Sequence, residues 1–241
     1  MSCQARWVEL DEVDSTQKFL TQAVKAGDML DVVFAHDQTS GRGRFDRQWH
    51  SRRGESLTLS VSFTQCADHP HPWILGMFAA MVAAEQIGMG LQWPNDLVHE
   101  GKKVGGVLTE TIQNPCGETL AVVGIGLNLN NMKFSPELEG RATSAFLAKR
   151  LRYDPLTEAR LLVANLFEGP IPVSWPDIVA RWMARDQTPG KTYVLPNGDR
   201  ALAKRIGPQG ELVALVDERE VTVLVADAIF GENLAPGFAS S

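Results

Sequence analysis

The run Gly41-Arg42-Gly43-Arg44-Phe45-Asp46-Arg47-Gln48-Trp49 sets guanidinium groups between glycines. From Gly41 to Arg53 there are five arginines and one aspartate, a local +4 in a chain whose formal net charge is −6. Guanidinium forks bind carboxylate or phosphate oxygens two at a time, and glycines let backbone amides close on a ligand. The segment reads as a mobile anion-binding loop. The plainer readings are a solvated basic turn or an RGG-like contact to nucleic acid. One such segment without a repeat, in an acidic protein, argues against the nucleic-acid version.

Leu120 to Asn130 is the second chemical signal. On a strand Ala121, Val123, Ile125, Leu127 and Leu129 point one way, and Gly124, Gly126, Asn128 and Asn130 the other. Glycines weaken a strand unless something must come close, so this face suits a flat ligand or a tightly packed helix. Gly124-Ile125-Gly126 lacks the third glycine and the following helix of a dinucleotide fingerprint. Lys103, at the mouth of the strand that begins Lys102-Lys103-Val104-Gly105-Gly106, could bring positive charge to a carboxylate or phosphate. It could equally be a solvated residue guarding a strand edge. Trp93-Pro94-Asn95-Asp96 is a rigid turn; Asp96 could accept a hydrogen bond or help place a divalent ion, or serve the turn alone. Histidines 36, 50, 69, 71 and 99 show no metal-ligand spacing. No nucleophile elbow is present, and neither Ser60 nor Ser62 has a recognisable base.

The elements that must hold these groups are legible in outline. Asp14-Ser15-Thr16 starts a helix carrying Phe19, Leu20, Ala23 and Val24 and stopping near Gly27. Strands are expected at 32–35, at 56–63 (half-buried, by its alternation), and around 91–93, 104–112 and 120–129. Helices are expected at 73–87, ended by Gly88, and at 143–150, 156–167 and 178–185; Trp175 and Trp182 read as helix core. Beyond Gly190, short strands at 192–195, 201–206, 212–216 and 221–225 are separated by turns such as Asn197-Gly198 and Asp217-Glu218. The expectation is an α+β fold, a mixed sheet flanked by helices over 1–187, with a small β-barrel at 188–235 and a disordered tail at 236–241. The composition, 44% apolar and 22% charged, is that of an ordinary globular protein. No segment reaches the ~20 apolar residues of a membrane span, and Met1 to Glu9 lacks an apolar signal core. Cys3, Cys66 and Cys116 are odd in number and unpaired in spacing, as in a reducing cytoplasm.

Together these segments resemble the biotin protein ligase family. The resemblance rests on Asp14-Ser15-Thr16, Gln38-Thr39-Ser40-Gly41-Arg42-Gly43-Arg44, Trp93-Pro94-Asn95-Asp96, Lys103-Val104-Gly105-Gly106-Val107-Leu108 and Gly124-Ile125-Gly126-Leu127-Asn128. Ala142-Thr143-Ser144 adds a familiar helix start. It implies a ligase fold with an SH3-like C-terminal barrel, and formation of biotinyl-5′-adenylate from biotin and ATP with Mg²⁺. Biotin then passes to a lysine of a biotin carboxyl carrier domain. Carried over by motif, Ser15, Thr16 and Gln38 surround the biotin rings, Gly41 and Arg42 close the loop, and Gly106, Gly124 and Gly126 line the pocket. Lys103 neutralises the carboxylate and, with Arg42 and Arg44, carries the catalysis. Arg44, Arg47, Trp49, Asn95, Asp96 and Asn128 serve ATP, with Asp96 a candidate metal ligand. No membrane and no DNA partner is implied, since the first motif begins at Asp14, and the protein would be a monomer or homodimer. The other readings are a lipoate or octanoate ligase on the same fold, and a catalytically weak biotin-binding protein. The chain departs from the family pattern at Gln17 (usually Asn), at Asp46 (usually Gly) and across Ala226–Phe230. The carboxylate of Asp46 would compete with phosphate for Arg44 or Arg47.

Overall fold

A computed structural model describes residues 5–28, 30–43, 47–195 and 198–224, and the backbone of 235–236. Its main sheet has seven strands: β1 (Trp7–Val13), β2 (Val32–Gln38), β5 (Ser56–Ser62), β6 (Gly90–Gln92), β7 (Asp96–His99), β8 (Lys102–Gln113) and β9 (Thr119–Asn128). Their spatial order is β1-β2-β5-β9-β8-β7-β6. β1 runs parallel to β2 and every other pair is antiparallel, so the sheet is mixed. The short strands β3 (Gly41–Arg42) and β4 (Gln48–Trp49) form a separate hairpin from the two flanks of the arginine loop.

Helices cover both faces. α2 (Pro72–Ile87) is apolar on all sides and buried along nearly its whole length, as a helix between a sheet and a second helix must be. It ends at Gly88, whose φ of +62° takes the left-handed conformation that favours glycine. α4 (Pro155–Phe167) contributes Ala159, Leu162, Val163 and Leu166 to the same core. On the opposite face α1 (Thr16–Lys25) lays Leu20 and Val24 against Val33, Ile112, Leu120 and Val122. The alternation expected for β9 holds: Ala121, Val123, Ile125, Leu127 and Leu129 lie in the α2 core.

The sequence-based outline is corrected at four points. β5 is buried along all seven residues rather than on one face. Its polar side is covered as well, and its hydroxyls find partners inside: Thr58 donates to the Ala35 carbonyl at 2.6 Å and Ser62 to that of Leu30 at 2.7 Å. The acidic segment Trp7–Val13 is a strand, although its charges hide the alternation; it is the sheet's edge, where charge opposes pairing with other chains. The Trp93–Asp96 turn runs directly into a four-residue strand, β7, which was too short to read. The helices expected at 143–150 and 178–185 shrink to α3 (Ala145–Lys149) and α5 (Val179–Met183).

A second, antiparallel sheet contains β10 (Thr192–Val194), β11 (Arg200–Ile206), β12 (Leu212–Val216), β13 (Arg219–Val223) and β14 (Ala235–Pro236). Its order is β13-β12-β11-β10-β14. Asp217 and Glu218, at φ +46° and +67°, make a two-residue turn that pairs Val216 with Arg219, so this strand starts two residues earlier than expected. Pro236, assigned to the tail by the sequence, pairs with Tyr193; Ala226–Phe230 lie outside the described residues. Trp93 joins the two sheets. Its indole donates to the Gly210 carbonyl at 2.9 Å, its backbone amide to the Thr188 hydroxyl at 2.9 Å, and its carbonyl accepts from the Tyr193 hydroxyl at 2.9 Å. Trp175 and Trp182 are buried edge to face beside this joint, as core residues. Among the described residues no helix is long and apolar enough to cross a membrane.

Candidate active site

The face of the main sheet opposite α2 carries a cavity of about 870 Å³ beside the start of α1. Its floor is bare backbone. Gly106 on β8 pairs with Gly126 on β9, and Gly124 lies two residues further along the same strand. Successive same-face positions are ~6–7 Å apart, so the glycines make a continuous strip.

Lys103 stands at one end of the strip. Its Nζ lies 2.7 Å from Asp96 Oδ1, and a Cβ on Gly106 would sit 3.0 Å from that ammonium and 3.1 Å from that carboxylate. The Lys103 backbone is pinned on both sides, its amide donating to the Arg141 carbonyl and its carbonyl accepting from Thr143. Asn128, also lining the cavity, donates to the same Thr143 from its other side, at the carbonyl. Asn95 fastens the preceding turn to β8: its side-chain amide donates to the Val107 carbonyl and its own carbonyl accepts from the Val107 amide.

A polar cluster closes the other end. Ser15 caps α1, accepting from the Lys18 amide, and is held by Asp14, which accepts from the Ser15 amide at 2.8 Å. Hydrogen bonds from the Lys18 ammonium and this amide hold the Asp14 carboxyl below its ordinary range. The Thr16 amide donates to Gln38 Oε1 at 2.8 Å, and the Thr16 hydroxyl lies 3.0 Å from that of Ser60. Ser60 donates to Gln17 Oε1 at 3.1 Å, while Gln17 Nε2 donates to the Glu110 carboxylate and the Val122 carbonyl. Ser15, Thr16, Gln17 and Ser60 are all buried. Gln17 reaches over Gly124, where a Cβ would come within 2.7 Å of its oxygen.

The arginine loop forms the rim. Arg42 pairs with Glu110 at 3.4 Å, and Arg47 lines the cavity. Trp49 lies across Gly126, with indole atoms 2.5–2.9 Å from where a Cβ would stand, so a side chain there must displace the ring. Gly41 is buried under the hairpin, against the Trp49 carbonyl and Gln38, rather than in the cavity wall. Arg44 and Asp46 lie outside the described residues.

Among the described residues, the structure therefore gathers the expected ones from seven separate segments, Gly41 forming the support of the rim. Sequence reading missed Ser60, Glu110, Lys133 and Arg141. Ser60 was visible only as an alternating strand residue and as a nucleophile without a base, and the other three carry no local pattern. Six Lys and Arg side chains line the cavity against the two carboxylates of Glu55 and Asp96, a positive field inside an acidic protein. Among the described residues no group of three His, Cys, Asp or Glu could hold a metal ion. Asp96 instead faces an ammonium, so these side chains do not build a magnesium cage.

Comparison with known proteins agrees with this geometry. The model of the Biotin/lipoate A/B protein ligase family matches residues 10–130, the span that holds most of the site. The biotin–[acetyl-CoA-carboxylase] ligase of Mycobacterium tuberculosis is 30% identical over 92% of this chain and 89% of its own length. The chain belongs to the biotin/lipoate A/B protein ligase family, on its biotin protein ligase side. The bifunctional ligase/repressor BirA of Bacillus spizizenii is 33% identical over 60% of this chain, a match spanning 47% of that longer protein. Among solved structures, the biotin protein ligase of Aquifex aeolicus in complex with biotin and ATP superposes with a TM-score of 0.68 and 26% identity. That match covers 91% of this chain and 95% of the other.

Proposed function

We propose that this protein is an ATP-dependent biotin ligase that activates biotin as its 5′-adenylate and transfers it to a lysine of a biotin carboxyl carrier domain. The observation that carries the reading is the glycine floor, with a cation at one end and a buried polar cluster at the other. An acid lying on that floor places its carboxylate by Lys103 and its far end against Thr16, Gln17, Gln38 and Ser60. Biotin's ureido ring carries N–H and C=O groups for such partners. The hydrocarbon end of octanoate and the dithiolane of lipoate offer that cluster no N–H or C=O partner, so they would gain none of these hydrogen bonds, each contributing roughly 0.5–1.5 kcal/mol.

In the first step a carboxylate oxygen attacks the α-phosphorus of ATP, the α–β bridge bond breaks and pyrophosphate leaves. Lys103 shields the carboxylate and then the acyl-phosphate oxygen, with Asp96 holding the ammonium in place. Arg42, Arg44 and Arg47 take the phosphates, with Trp49, Asn95 and Asn128 beside the nucleotide. Magnesium, which commonly binds through substrate phosphates, would enter on the triphosphate. In the second step the carrier lysine's amine attacks the acyl carbon and AMP leaves. We further assign residues 188–235 to a small SH3-like barrel packed on a catalytic domain of 1–187, working in a reducing compartment with Cys66 and Cys116 as free thiols.

Biotin-dependent exchange of pyrophosphate into ATP tests the reading. Biotin should support exchange at least ~100-fold better than lipoate or octanoate, since a site built to hydrogen-bond its substrate rejects analogues lacking those groups. Exchange with either analogue at a comparable rate would establish the other ligase activity. Biotin binding without any exchange would leave a binding protein. Gly124→Val should raise the Kd for biotin by about tenfold or more, because the new side chain collides with the Gln17 amide on the floor. Calorimetry showing an unchanged Kd would remove the glycine strip from the site.

A further inference from the structure

Glu110 sits beside the cavity without lining it, yet both of its carboxylate oxygens are engaged with residues that do line it. Oε2 accepts from Gln17 Nε2 at 3.0 Å and Oε1 lies 3.4 Å from Arg42 Nη1. Glu110 pairs across the sheet with Val122, whose carbonyl accepts the second Gln17 amide proton at 3.1 Å. Both groups beside Gln17 Nε2 are pure acceptors, so the amide can face them only with its NH₂. Its oxygen is thereby directed at Ser60, into the polar end of the cavity. Arg42 belongs to the hairpin of the arginine loop, paired with Gln48.

We propose that Glu110 is a positioning residue that ties the polar end of the cavity to the arginine loop: one oxygen orients the Gln17 amide and the other tethers Arg42. This rests on the ligase reading for its consequence, namely that the pocket for the acid and the loop for the phosphates are set by one carboxylate. The Gln17 contact is the more buried of the two, while Arg42 is half-exposed and its pairing is screened by salt.

Two variants separate the arms. Glu110→Gln keeps an amide oxygen for Gln17 but no charge for Arg42, whereas Glu110→Ala removes both. Limited trypsin digestion of the unliganded protein reads the tether, because cleavage after Arg42 requires that side chain to enter the protease. Cleavage there should rise about threefold in both variants, the scale of a surface ion pair. The wild-type advantage should fade at about 0.5 M salt, where the Debye length is only ~4 Å. The biotin KM should stay within about twofold in Glu110→Gln and rise about tenfold or more in Glu110→Ala, the scale of one lost hydrogen bond to a charged group. Unchanged cleavage in Glu110→Gln, or an equal biotin KM in the two variants, would overturn the proposal. Thermal midpoints show whether Glu110→Ala is folded; if it is not, the salt-dependent cleavage of Glu110→Gln decides. A wild-type protein without biotin-dependent exchange would sink the ligase reading alone, since the digestion uses no ligand.

Discussion

Replacing Lys103 with alanine is expected to slow adenylate formation by at least about tenfold, or ~1.4 kcal/mol of barrier, with little change in the thermal midpoint. The Lys103 side chain is 43% exposed, so its ion pair with Asp96 contributes little to folding. The backbone at this position is held independently of the side chain, by Arg141 and Thr143. The loss should therefore fall on the chemistry. Without the ammonium, Asp96 would present an unpaired, partly exposed carboxylate to an incoming carboxylate. The Lys103→Ala/Asp96→Asn double variant should then be less impaired than the sum of the single losses, as for coupled neighbours. Single-turnover release of pyrophosphate checks this, and a near-normal rate in Lys103→Ala would take the residue out of the mechanism.

The largest effect on stability is expected at Trp93. Trp93→Ala should cost ~3–5 kcal/mol, the range for truncating a fully buried aromatic side chain. The indole is 1% exposed, bonds to Gly210 in the second sheet, and packs edge to face on Tyr193 at 6.0 Å. Truncation leaves the Gly210 carbonyl without its donor and opens a void between the two sheets. Chemical denaturation should show the midpoint falling accordingly; a loss below about 1 kcal/mol would mean the joint is held elsewhere, since cavities of this size are rarely so cheap. Asp96 is three residues away across the turn, so lowered activity in this variant is expected to follow the loss of structure.

Whatever depended on local pattern was readable from the chain. The alternation in Leu120–Asn130 separated a core face from a glycine face, and the burial of Val123, Ile125 and Leu127 against α2 follows it. Gly88 stopped α2, and the Asp217-Glu218 turn set the register of the last hairpin in the second sheet. The ordered motifs identified the family because each carries a backbone requirement, such as bare glycine, a rigid proline turn or a capping serine, that few other residue types satisfy. What the sequence could not decide were relations between segments far apart in the chain. The alternation of Ser56–Ser62 was indistinguishable from that of a strand with one wet face, because hydroxyls bonded to buried carbonyls look the same in sequence as hydroxyls bonded to water. Nothing local marks Glu110 as the partner of both Gln17 and Arg42, residues 93 and 68 positions away. Only the pairing of β8 with β9, and the packing of α1 and the loop hairpin over them, brings those charges and amides within hydrogen-bonding range.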